Sequence, residues 1–125
     1  MNRPEQDLQK AVVRTLRVCL QPPPEGPFIF APDPGVQMGG QHAARIGGIR
    51  KSMGVRAGVP DLMFVWRGKA IGIELKRADG RLTKEQKEAH ADLTLAGAVV
   101  TTARSVDEVL EFLTTLGMPI KGRVA

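Results

Sequence analysis

The sequence predicts an α/β domain in which a central mixed β-sheet is flanked by helices. Apolar residues recur at helical spacing in two separate segments, Leu8 to Cys19 and Val106 to Leu113. Residues 61–66 and 69–76 alternate in polarity around Arg67-Gly68, as paired strands do. The resulting order, α-β-(α)-β-β-α-β-α, interleaves the two kinds of element. A chain of 125 residues fits one such domain over 1–125.

Taken in order, Asn2-Arg3-Pro4-Glu5 reads as a helix start, with a capping Asn, a proline in the first turn and Glu three residues after the cap. Leu8, Val12, Leu16 and Cys19 form its stripe, and Pro22-Pro23-Pro24 ends it. Phe28-Ile29-Phe30 is a short strand stopped by Pro32-Asp33-Pro34-Gly35. Residues 36–57 are Gly-rich and basic, and a short helix over about 43–53 is weakened by Gly47 and Gly48. The paired strands follow, then a turn at Ala78-Asp79-Gly80-Arg81. Thr83 caps a helix that runs to about Ala96 and is terminated by Gly97. Ala98–Thr102 is a β-branched strand. Ser105, with Glu108 three residues on, opens a last helix that reaches Leu116 and stops at Gly117. Segments 21–27 and 33–42 are expected to be flexible, and 118–125 to form a short tail.

Composition narrows the function classes. The chain is 42% hydrophobic and 25% charged, so one core can form, yet no apolar run is long enough to span a bilayer. Charges at Arg3, Glu5 and Asp7 do not fit a signal peptide, which makes the cytoplasm the default location. A lone Cys19 excludes an internal disulfide and a cysteine-based zinc site. The net charge of +5 favours a polyanionic partner, nucleic acid before membrane. With four Phe, one Trp and no Tyr, a platform for stacking single-stranded bases is not expected.

The chemistry collects on the hairpin. If the strands pair symmetrically about Arg67-Gly68, Trp66 faces Lys69, Val65 faces Ala70, and Asp61 faces Glu74. Directly opposed side chains have Cβ atoms about 4.5–5.5 Å apart, and two carboxylates that close repel unless a cation or proton lies between them. Leu62, Phe64, Trp66, Ile71, Ile73 and Leu75 share the apolar face, while Asp61, Gly72, Glu74 and Lys76 share the other. Gly72 leaves room for a close approach. Phosphodiester hydrolysis needs charge stabilisation on phosphoryl oxygens and a deprotonated water in line with the leaving oxygen. Asp61 and Glu74 suit a hard divalent ion, Mg²⁺ with Mn²⁺ as substitute, and the Leu75 carbonyl could add a ligand. Lys76 would activate the water. The plainer reading is a solvated strand end; the opposed Asp, the apolar reverse face and the basic surroundings weigh against it.

Gly58-Val59-Pro60-Asp61 followed by Ile73-Glu74-Leu75-Lys76 resembles the PD-(D/E)XK nuclease motif. The longer run Gly54 to Leu62, and Gly80-Arg81-Leu82-Thr83-Lys84-Glu85-Gln86 leading into a helix, resemble the VRR-NUC branch, the virus-type replication-repair nucleases. The resemblance covers roughly Glu5 to Leu116. It implies a restriction-endonuclease-like core, a metal-dependent site, and an endonuclease acting on branched DNA such as Holliday junctions, as a homodimer. It also implies that Glu5 is a helical acid near the metal and Gln86 a helical glutamine of the site. Each has a plainer reading as a capping-box residue, with Asn2 and Thr83 respectively.

Arg45, Arg50, Lys51 and Arg56 precede the catalytic strand and are expected to contact DNA phosphates, with Lys69, Arg77, Arg81 and Lys84 extending the patch. His42 and His90 lie in unrelated segments without ligand spacing and are not expected to serve catalysis or zinc. Two rivals remain: a non-catalytic DNA-binding or scaffold module that keeps the nuclease fold, and a phosphohydrolase of small nucleotides. The second would need a base pocket that the sequence does not suggest.

Overall fold

The computed structural model describes residues 3–32 and 47–122. Its elements are α1 (Arg3–Cys19), β1 (Phe28–Phe30), α2 over residues 47–52, β2 (Leu62–Trp66), β3 (Lys69–Leu75), α3 (Lys84–Leu95), β4 (Val99–Ala103) and α4 (Val106–Thr115). The expected order is observed, with β4 beginning one residue later than the sequence suggests. Asn2 and the strand stop at 33–35 lie outside the described residues, as does part of the expected helix over 43–53.

The sheet is four-stranded and mixed, in the order β1-β2-β3-β4. β2 and β3 pair antiparallel with Leu62 against Ile73 and Trp66 against Lys69, the register expected from symmetry about Arg67-Gly68. Arg67 (φ 50°) and Gly68 (φ 76°) are both left-handed, the twist that a two-residue hairpin turn requires. β3 and β4 are parallel, so the chain must cross between them, and α3 makes that crossing.

The apolar face of the hairpin is the core. Leu62, Phe64, Ile71, Ile73 and Leu75 are buried there with Val12 and Leu16 of α1 and Val109 and Leu113 of α4. Removing a side chain as large as Phe64 from such a setting costs about 3–5 kcal/mol. Trp66 is also core, and its indole N–H donates to the Glu25 carbonyl at 3.0 Å. This ties segment 21–27 to the sheet. The tail is not loose at its start: Met118 and Ile120 are buried, and Ile120 bridges to Leu20. Two isolated apolar residues carry no periodicity, which is why the sequence shows only a tail.

On the opposite face, Gly72 does leave room, and Pro60 takes it. A Cβ at Gly72 would lie 2.8 Å from Pro60 Cγ and 3.1 Å from Met63 Sδ. The glycine seats the proline that precedes Asp61.

Candidate active site

Asp61 continues the hairpin by one residue beyond the paired strands, which brings it across from Glu74. Its Oδ2 accepts the backbone N–H of Leu75 at 2.8 Å, so the side chain lies against the end of β3. Glu74 and Lys76, two residues apart, point to the same face and are 2% and 7% exposed. A buried acid and a buried amine on a sheet end are not a solvated rim. Lys76 is fixed through its backbone, whose N–H donates to the Ala103 carbonyl at 3.0 Å.

Burial, a hydrogen bond with Asp61 and the Asp61 charge push the Glu74 carboxyl up to about 9; Lys76 opposes this and Glu5 adds to it. At neutral pH the pair thus retains a proton. A place that binds one positive charge so firmly between two carboxylates is chemically suited to a cation, which would displace the proton. Among the described residues no three acidic, histidine or cysteine side chains close into a metal cage. Two carboxylates and a nearby carbonyl fit an ion that keeps most of its waters, as Mg²⁺ does.

Helix α1 brings Glu5 to the same place. Glu5 extends the buried stripe by one turn, is 7% exposed, and its Oε2 accepts the Arg77 N–H at 3.2 Å. The same oxygen would lie 3.0 Å from a Cβ at Gly80, so the 77–80 turn wraps closely around it. The alternative cap, Asn2, falls outside the described residues.

Helix α3 supplies Gln86 and His90. Thr83 and Gln86 form a reciprocal capping box: Thr83 Oγ1 accepts the Gln86 N–H, and Gln86 Oε1 accepts the Thr83 N–H at 2.9 Å. The amide end of Gln86 is left to donate to Glu74 Oε2, at 3.3 Å. Capping and contact with Glu74 therefore occur together rather than as alternatives. His90 Nε2 lies 3.4 Å from Glu74 Oε1. Burial pushes this imidazole below its usual range; Asp61 opposes the shift and Lys76 reinforces it.

Asp61, Glu74, Lys76, Glu5 and Gln86 line one cleft of about 1110 Å³. The chain has the fold of a solved VRR_NUC domain protein. That structure superposes with a TM-score of 0.65 at 23% identity, over 95% of this chain and 93% of the other. No protein-family model matches the chain, and no curated protein matches it in sequence. The restriction-endonuclease-like α/β core expected from the sequence is thus the fold observed.

In this VRR_NUC-type fold the cleft lining also includes Arg50, Lys51 and Arg56. Arg45 lies outside the described residues. Arg56 also reaches across to α3, with its guanidinium 2.6 Å from Asp92 in an exposed pair. Lys69, Arg77, Arg81 and Lys84 are not among the residues that line the cleft; Arg77 pairs with Asp79 and Lys84 with Glu88, both in exposed contacts. His90 is the site residue that sequence reasoning misses. The available signal is its position four residues after Gln86, which places both on one helix face. No helix among the described residues is long and apolar enough to cross a membrane.

Proposed function

We propose that this chain is a metal-dependent nuclease that hydrolyses DNA phosphodiesters. The observation that carries the reading is Glu74, buried beside Lys76 at the base of the cleft with the half-buried Asp61 against it, and holding a proton up to about 9. Asp61 and Glu74 would hold a divalent ion, Mg²⁺ or Mn²⁺, with the Leu75 carbonyl and Glu5 as further oxygen donors. Such an ion stabilises negative charge on the phosphate and lowers the pKa of bound water. Lys76 orients the attacking water and offsets charge on the phosphoryl oxygens. Gln86 steadies Glu74, and Arg50, Lys51 and Arg56 grip the phosphates on either side, with Arg45 as a further candidate.

The finer reading is a structure-specific endonuclease acting on branched duplexes such as Holliday junctions, as a homodimer whose two-fold symmetry matches a four-way junction. The test is cleavage of a panel of branched and linear DNAs with Mg²⁺, Mn²⁺ or EDTA. Wild type should cleave only with the divalent ion. Glu74→Ala and Lys76→Ala should lose at least about 100-fold in rate, the size expected for removing charge stabilisation at the reacting phosphate. DNA binding without cleavage by wild type under every condition would instead identify a silent module. A strictly monomeric protein in sedimentation at micromolar concentration would remove the dimer.

A further inference from the structure

We infer that His90 is a positioning residue for the metal-binding carboxylate: it and Gln86 form a two-point clamp on Glu74, one donor for each oxygen. The inference rests on the metal-dependent reading above and assigns a role to a side chain that this reading does not use.

The geometry is that of one helix face. Gln86 and His90 are four residues apart on α3, so their side chains stack one turn apart. Gln86 Nε2 meets Glu74 Oε2 at 3.3 Å, and His90 Nε2 meets Glu74 Oε1 at 3.4 Å. The Gln86 amide cannot be turned the other way without breaking the capping box, because its Oε1 already accepts the Thr83 N–H. Glu74 Oε1 and His90 Nε2 are both buried, and neither makes a hydrogen bond with aligned geometry among the described residues, although the two lie 3.4 Å apart. Two buried polar atoms that face each other are costly to leave unbonded, which favours their pairing. The distance is already within reach, so a small turn of the imidazole that aims its Nε2–H at Oε1 completes the bond.

The consequence concerns the free lone pairs. A carboxylate oxygen can accept two hydrogen bonds, so one donor per oxygen from α3 leaves each with capacity for a cation. Two fixed points also remove the freedom of the carboxyl group to rotate about its last bond. The imidazole suits this place better than a lysine or arginine would. The side chain here is almost wholly enclosed, and a lysine or arginine in its place would bring a buried cation that competes with the ion.

The test measures Mn²⁺ binding to the full chain by titration calorimetry, without DNA, and compares His90→Leu, His90→Gln and His90→Asn with wild type. Gln carries an amide donor at the same reach as Nε2, Asn falls one methylene short, and Leu fills the space without a donor. His90→Leu and His90→Asn should bind Mn²⁺ about 10-fold more weakly or worse, as removal of outer partners of metal ligands usually does. His90→Gln should stay close to wild type. Thermal unfolding in EDTA reports which variants fold; if Leu does not, the Gln–Asn pair still decides. Equal Mn²⁺ affinity in wild type and the Leu or Asn variants, or equal loss in Gln and Asn, overturns the clamp while leaving the nuclease reading intact. A wild-type chain that binds no Mn²⁺ overturns both.

Discussion

The Glu74 carboxyl meets Asp61, Gln86 and His90 and lies within the charges of Lys76 and Glu5. Its folded-state value of about 9 lies above the ordinary 4.5, so between these limits the folded chain keeps a proton that the unfolded chain has released. Stability must then fall as pH rises. The contribution is complete below about 4.5 and is lost as pH climbs through about 9. In EDTA, urea unfolding of wild type should lose on the order of a few kcal/mol across this range relative to Glu74→Gln, whose amide cannot titrate. Parallel stability curves for the two proteins would refute the shared proton. The three residues of the hairpin site are legible in the amino-acid order alone, because a strand has only two faces and a two-residue turn fixes the register. Asp61, Glu74 and Lys76 have nowhere else to point. His90 is not legible in this way: which side of α3 meets the sheet depends on packing between elements distant in sequence. Gly72 is legible as a close approach, but nothing in the sequence says that the approaching group is Pro60.

Helix α3 reaches Glu74 because the loop before β2 lets it come close. Gly58 has φ +84°, and a Cβ there would lie 2.3 Å from the Glu85 carbonyl oxygen and 2.7 Å from the Gln86 nitrogen. The glycine in the run Gly54 to Leu62 is thus needed twice, for its backbone conformation and for contact with the first turn of α3. Gly58→Ala should destabilise the chain by about 1–3 kcal/mol and weaken Mn²⁺ binding, because Gln86 is displaced with the helix end. Gly54→Ala is the control: its φ is +94°, but nothing lies within 4 Å of the added carbon, so it carries backbone strain without the clash. Urea unfolding and Mn²⁺ titration of both variants check this, and equal effects at the two glycines would mean that contact with α3 is immaterial. A second brace holds the other side of the site. Arg104, following β4, donates to the carbonyls of Arg77 and Gly80 at 2.7 Å each, fixing the turn that wraps Glu5. The elements themselves are legible from caps and periodicity: Thr83 and Ser105 are observed N-caps, and Gly97 and Gly117 follow the helix ends with positive φ. Bracing between elements is not, because a lone arginine or glycine looks the same whether it packs or faces water.

Across the whole molecule, the net charge of +5 does not describe the cleft. Among the described residues, the lining holds four basic side chains (Arg50, Lys51, Arg56 and Lys76) against five acidic ones (Glu5, Asp61, Glu74, Glu85 and Glu88), of which Glu74 keeps its proton at neutral pH, so the basic side chains find no net excess there. Arg56 is partly engaged with Asp92 as well. A polyanion entering this cleft meets carboxylates at its base, so the surface charge that attracts DNA from afar is opposed where the scissile phosphate must sit. A divalent ion reverses that opposition locally. Ca²⁺, a hard ion that takes oxygen ligands, should therefore raise duplex affinity several-fold at constant ionic strength, although added cations ordinarily weaken protein–DNA binding. Asp61→Asn should bind DNA more tightly than wild type in EDTA and lose most of the response to Ca²⁺. Lys51→Glu should bind more weakly in both conditions and lower the salt slope by about 0.9 for each phosphate contact removed. Fluorescence anisotropy on one labelled duplex measures all three. If Ca²⁺ merely lowered affinity, to the same extent in wild type and Asp61→Asn, the duplex would have to lie on a surface that does not sense the carboxylates, and the cleft would not be where the phosphate goes.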